Sequence, residues 1–542
     1  MEAIHKSQGR VKKVSPHIQE MRARLALNNK EISPLTQKLG EEVISVDQIS
    51  SQLAHFYEKM RYSVDYKEEH LLRRNAIKRM LKRRLQEQFR KGRIAPFLVV
   101  ELVRAGYLPN DSLPERIIDD VEHIIEKALT LYEATPDSEK EFYGSSEHFD
   151  RIIGIAAMEI EEFLFPTAVA GICLDTFYLT VYNLIEVRDI EIDEDQKNMQ
   201  VYIACNRSLL GYDESDLFYV LWTLKYNNWK NKPTGKEIEL MGQEFDKHVQ
   251  EILVEIRHPL NWRIMPKLRD YTICFALMRE SLQSDGGVWC KKQLDMTVVK
   301  ESLSEILSRK YEHERNLIGK SVNRAIIYIL LTKTILAFLF ELPYDLWAHG
   351  KINKLALGIN IFFHPLLLYI VTRVVRLPKL DSKEYTIQSI AAIISNKKLP
   401  QIPVTFARKK SFFGMILSAL YLFFFVLIFG LIIWVLQKLE FNIVSGSLFV
   451  FFLTLVSYFG LRLRGRAKKW RIKPKDVSAK AFMIDLLTLP IVQSGQWFIK
   501  KFETVNIFVF VMDFLIETPF KVLIDIFEGF TQYLREKKER LE

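Results

Sequence analysis

The sequence predicts an all-α membrane protein: a helical cytoplasmic N-terminal region, then two transmembrane helical hairpins, then C-terminal amphipathic helices at the membrane interface. Three observations predict it. Four apolar runs of about membrane length follow residue 320, at 325–347, 355–375, 412–436 and 443–461. Charge is split along the chain. Residues 1–320 hold 46 Lys and Arg against 51 Asp and Glu, while residues 321–542 hold 30 against 15, so the basic excess belongs to the apolar half. Outside the apolar runs, hydrophobic residues recur at helical spacing, as in Ile77, Leu81, Leu85 and Phe89.

The segments between the apolar runs orient them. Residues 372–411 carry nine Lys and Arg against Asp381 and Glu384, and residues 462–480 carry nine against Asp476 alone. The connections at 344–354 and 437–447 are short and nearly charge-balanced. Basic loops stay on the cytoplasmic side, so both termini and the middle loop are expected there, in a bacterial-type inner membrane. The first run is marginal in length, and a tilted or re-entrant helix is one reading of it. Residues 163–185 are also apolar, but Asp175 lies at the centre, Pro166 interrupts, and the flanks are acidic. They are expected to form a pair of core helices. From 476 onward the apolar sequence is interrupted by Asn506, Asp513, Glu517, Lys521, Asp525 and Glu528, mostly at helical steps, which predicts helices lying in the membrane interface.

The expected organisation is therefore 1–320 as a helical soluble region with a sub-boundary near 231–237, 321–475 as the transmembrane region, and 476–542 as interfacial helices and a charged tail. Ser45 and Gln48 form a capping-box pattern opening a long helix or helix pair to about residue 91. Residues 200–205, QVYIAC, read as a short strand, and 284–289, SDGGVW, as a turn. The four cysteines, Cys173, Cys205, Cys274 and Cys290, show no paired spacing and fit a reducing compartment.

One stretch, Arg73, Arg74, Lys78, Arg79, Lys82, Arg83 and Arg84, makes a strongly basic helix. It fits either lipid headgroups or, more simply, the acidic block at 101–200, which holds 23 acidic residues against 7 basic. Few aromatics interleave it, which argues against nucleic acid. No phosphate loop, paired-histidine zinc motif, calcium loop or serine-hydrolase elbow is found, so no cofactor or metal is expected and no enzymatic activity is indicated.

The residue that calls for a function is Lys333, inside an apolar run. Counting from the turn near Ala348, Lys333 and His364 fall at similar depth, with Asn360, Thr332 and Thr334 nearby. Glu341, Asp485 and Asp513 are the candidate counter-charges. Such a polar layer could line an ion or proton path, or Lys333 could snorkel to the surface while His364 bonds a carbonyl. The leading expectation is a membrane-anchored scaffold or interaction protein, with a protein partner or a second copy of itself. An oligomeric channel or transporter is the alternative, and an interfacial lipid-acting enzyme a weaker third.

Overall fold

A computed structural model describes residues 14–28, 42–46, 69–87, 92–136, 146–166, 168–231, 233–284, 286–291, 294–350, 352–374, 380–405, 412–467, 470, 472 and 479–503. The chain is mostly helical and divides into two compact units. One comprises Val14–Cys290 with Lys398–Phe406, and the other comprises Lys291–Lys397 with Ala407–Phe510.

The first unit contains α1 (Pro16–Asn28), α2 (Glu69–Glu87), α3 (Ala95–Arg104), α4 (Arg116–Glu133), α5 (Glu147–Leu164), α6 (Ala168–Tyr182), β1 (Ile185–Arg188), α7 (Glu194–Leu210), α8 (Glu214–Lys225), α9 (Gly235–Gln243), α10 (Phe245–Arg257), α11 (Pro259–Ser284) and α12 (Gly286–Cys290). Its core is assembled by helical periodicity. Ile117, Val121, Ile125 and Ala128 of α4, Phe149, Ile153 and Ile160 of α5 and Trp222 of α8 belong to one buried cluster. Local signals set the helix starts. Ser146 accepts the Phe149 amide at 2.9 Å, and Thr234 and Glu237 form a capping box that opens α9. The expected sub-boundary near 231–237 is thus a helix start inside one unit.

The apolar stretch at 163–185 is split between α5 and α6, which meet at 108°. Phe177 of α6 packs on Phe275 of α11 with ring centroids 5.0 Å apart, and Asp175 pairs with Arg24 of α1 at 2.8 Å. Residues 200–205 lie inside α7, not in a strand. Their β-branched and aromatic residues fill the buried face of a helix that runs on until Gly211, at φ 72°, turns the chain left-handed. Residues 286–290 are one helical turn where a turn was expected. The strand pairing lies elsewhere: β1 runs parallel to β2 (Ile402–Thr405), with Ile185 opposite Ile402. Ser45 sits in the extended segment 42–46, and the helix expected to follow it lies outside the described residues up to Glu69. Cys173, Cys205 and Cys274 are buried free thiols.

The second unit contains α13 (Met296–Leu336), a π turn (Ala337–Glu341), α14 (Leu342–His349), α15 (Lys354–Val374), α16 (Leu380–Ile394), α17 (Phe412–Lys438), α18 (Ile443–Ala467) and α19 (Ala479–Glu503). Residue 320, the expected domain boundary, lies inside α13. That helix continues through the π turn into α14, so Met296–Ala348 is one 53-residue helical rod. The first apolar run is therefore the C-terminal part of a long helix and is not short. Its length was hidden because the charged N-terminal turns and the apolar turns share one helix.

Among the described residues, four helices are long and apolar enough to cross a membrane: Met296–Ala348, Lys354–Thr372, Ser418–Lys438 and Ile443–Leu463. Large apolar side chains such as Leu422, Phe423, Val426, Leu427 and Leu431 of α17 are exposed, as expected of a helix whose solvent is hydrocarbon. The chain thus has the build of a membrane protein. α15 packs against α13 and α18, and α18 packs most extensively against α19. Two glycines permit these approaches. A Cβ at Gly460 would meet Val371 of α15 at 2.7 Å, and one at Gly495 of α19 would overlap the Thr454 carbonyl oxygen of α18. Residues 504–542, with the six polar positions that suggested interfacial helices, lie outside the described residues.

Replacing Gly495 with Val should cost roughly 1–3 kcal/mol by forcing α19 off α18. Gly430, on α17, has open space around its Cβ position. Thermal unfolding in detergent should show a lower Tm for Gly495→Val and little change for Gly430→Val.

Candidate functional site

The polar layer is built by three helices. Lys333 lies on α13, Glu341 closes the π turn that follows, Asn360 and His364 lie one turn apart on α15, and Ser445 lies on the first turn of α18. All five are buried, with Lys333 only 1 % exposed. The Lys333 ammonium donates to Asn360 Oδ1. The Asn360 amide donates in turn to Glu341 Oε1, and to the Ser445 carbonyl at 3.3 Å. The Ser445 hydroxyl donates to Glu341 Oε2 at 3.1 Å. One amide side chain therefore bridges a buried cation and a buried anion, and each carboxylate oxygen receives a donor.

The π turn explains why Glu341 reaches this layer. Eight residues along a regular α-helix would leave Glu341 about 80° round the helix from Lys333. A π turn absorbs one extra residue and brings it back to within about 20°. Pro343 lies two residues beyond, and its ring clashes with the carbonyl four residues earlier, which here belongs to Leu339 inside the widened turn.

Phe452 of α18 completes the layer. The Lys333 ammonium lies 4.6 Å from its ring centroid, and the His364 ring lies 6.0 Å from it. His364 Nε2 is 3.0 Å from the Phe449 carbonyl and Nδ1 is 3.4 Å from the Asn360 carbonyl. Lys333 does not snorkel: its ammonium is turned into the bundle. Thr332 and Thr334 stand apart, because their hydroxyls donate to the carbonyls of Tyr328 and Leu330 on their own helix. Of the three candidate counter-charges, Glu341 is brought to Lys333, and the side chain of Asp485 is outside what the structure describes. Asp513 lies outside the described residues.

A second polar group sits one turn beyond Glu341, where the sequence had suggested nothing. Asp345 Oδ1 accepts from Asn442 Nδ2 at 2.6 Å, and Oδ2 is 3.4 Å from the Asn353 amide. Asn442 and Asn353 in turn accept the amides of Ser445 and Ala356, at 2.7 and 3.1 Å, capping α18 and α15. An asparagine immediately before each apolar run was the signal that could have found them.

The basic helix α2 is engaged by the first unit's own acidic residues. Arg73 pairs with Glu161 at 2.8 Å, Arg74 with Asp213 at 2.7 Å and with Asp216, Lys78 and Lys82 with Asp150 at 2.6 and 3.1 Å, and Arg83 and Arg84 with Glu101 at 2.5 and 3.4 Å. Arg79 is half-buried on the same helix. Arg73, Lys78, Lys82, Arg83 and Arg84 thus meet carboxylates of the acidic block at 101–200, whereas Arg74, only 4 % exposed, meets Asp213 and Asp216 beyond it. Among the described residues, no three His, Cys, Asp or Glu side chains gather as a metal site would require.

Comparison with protein families, with curated proteins and with solved structures finds no match for this chain.

His70, near the start of α2, supplies a pH test of the basic helix. Burial, then the charges of Arg74 and Arg73, push its imidazole from 6.5 down to about 4. It folds as the neutral form, so its stabilising contribution is complete above pH 6.5 and is lost as pH falls towards 4. At pH 5 the loss should be about 2 kcal/mol. Thermal unfolding of the full chain at pH 7 and pH 5 should show a smaller acid-induced drop in Tm for His70→Phe than for the natural sequence.

Proposed function

We propose that this chain is a multi-pass membrane protein that moves protons or small monovalent cations. The observation that carries the reading is the buried Lys333 and Glu341 pair, bridged by Asn360, in the apolar half of the chain. Ionisable residues are expensive within hydrocarbon, and they are retained there mainly where charge is handled. The layer offers a carboxylate, an imidazole held between two backbone carbonyls, and oxygen ligands suited to a small cation. The interruption of a spanning helix by a π turn at the same point fits a functional site better than a packing site. Four spans seldom enclose a path alone, so a second copy of the chain is the natural partner. The positive-inside rule supports cytoplasmic termini in a bacterial-type inner membrane.

The interaction-protein reading rests on a different observation: the unit Val14–Cys290 has an extensive core of its own. It would then serve as the docking or regulatory part of the same protein.

The test is flux in liposomes holding the full chain, with separate readouts for protons, sodium and potassium. Glu341→Gln and His364→Ala should each reduce flux at least about tenfold while the protein remains folded, a change worth ~1.4 kcal/mol in the barrier. Absence of flux for all three ions in the natural sequence, or full flux in Glu341→Gln, would overturn the reading.

A further inference from the structure

The polar layer does not sit symmetrically in its bundle. Towards the end carrying the connections 350–353 and 439–442, polar groups continue: Asn360 to Glu341 and Ser445, then Asp345, then Asn442 and Asn353. Lys333 and Asp345 are twelve residues apart, roughly 18 Å along a helix. Burial decreases along this column, from the fully buried Asn360 to the half-buried Asn353 and Asn442 that cap the helices. Trp347, 84 % exposed beside Tyr344, marks the same end as the aromatic belt at the lipid–water boundary.

Towards the opposite end, which carries the basic segments, the interior is apolar. Val322, Leu368, Val456 and Leu463 form one buried cluster, joined by Ile318, Ile326, Ile329 and Phe459. From Ile318 to Ile329 this layer occupies roughly 16 Å of α13. Thr454, the buried polar side chain of α18 at the upper edge of that layer, gives its hydroxyl to the Phe451 carbonyl of its own helix.

We infer that the Lys333–Glu341 cluster opens to one face of the membrane only, the face with the short connections, through the column of Asp345, Asn442 and Ser445, and that a proton or small monovalent cation reaches Glu341 from that face. This rests on the transport reading for its substrate, but its geometry is separable. The column presents carboxylate, amide and hydroxyl oxygens, a ligand set for a hard cation or a proton and not for an anion. The Lys333 ammonium stands at its blind end, where it repels a cation from going deeper, and the apolar cluster below withholds water. The structure is that of a state loaded from one side, and passage across the membrane requires the layer Ile318–Ile329 to part.

Impermeant thiol reagents applied to each face of oriented liposomes, with labelled sites identified by mass spectrometry, test this on the full chain. Ser445→Cys and Asn442→Cys should label from the short-connection face and at least tenfold more slowly from the other. Val456→Cys and Ile329→Cys should label from neither. Sodium or potassium, exchanged for a bulky organic cation at fixed pH, should slow Ser445→Cys labelling severalfold if a metal cation occupies the column, and leave it unchanged if protons do. Labelling of Ser445→Cys from the basic face, protection of it from both faces, or labelling of Val456→Cys from either would overturn the inference. This pattern without flux would remove the transport reading alone, and flux with two-sided labelling would remove the one-sided entrance alone.

Discussion

An ammonium group buried among hydrocarbon side chains must find an anion or lose its proton, and this constraint organises the membrane unit. Lys333 finds Glu341 through the Asn360 amide, which accepts from one and donates to the other. Three helices are tied by that exchange, because Ser445 of α18 holds the second carboxylate oxygen. Lipid supplies no hydrophobic drive for helices to associate, so polar contacts of this kind and close packing must fix the register of the bundle. Gly460 and Gly495 supply the packing by letting backbones approach where a Cβ would collide.

The π turn and the two asparagine caps are consequences of the same demand. A regular helix would carry Glu341 away from Lys333, and the extra residue in the turn restores the alignment. Asp345, one turn on, then lies where it can hold Asn442 at the start of α18 and approach Asn353 at the start of α15. The connections between spans are therefore positioned by the same stripe of α13 and α14 that bears the buried charge. Glu341 and Asp345 each accept twice, and the chain of donors and acceptors runs continuously from mid-bundle to the helix ends.

The four apolar helices were legible in the sequence, the start of the first excepted, since runs of about twenty apolar residues are physical signals that need no tertiary context. Counting residues from the Ala348 turn sufficed to bring Lys333, Asn360 and His364 to one depth. The direction of the Lys333 side chain was not legible, because snorkelling and inward pairing differ only in what the neighbouring helix offers. Glu341 stood among three candidate counter-charges, and choosing it required the π turn, which no local pattern announces. Thr332 and Thr334 shared the depth but not the face or the hydrogen bonds. For α2 the sequence showed complementary charge blocks, yet individual pairs such as Arg74 with Asp213, 139 residues apart, follow only from the fold. The parallel pair β1 and β2 escaped for the same reason: four residues each, more than 200 residues apart in sequence.

The most direct test of the account is a double-mutant cycle on the buried pair, Lys333→Met and Glu341→Gln alone and together, read as unfolding free energy of the full chain in lipid. Each single change leaves a buried charge uncompensated and should cost about 3 kcal/mol, whereas the double change removes both charges and should cost clearly less than the sum. Additivity within about 0.5 kcal/mol would contradict the account, for it would mean that Lys333 and Glu341 do not sense one another across Asn360.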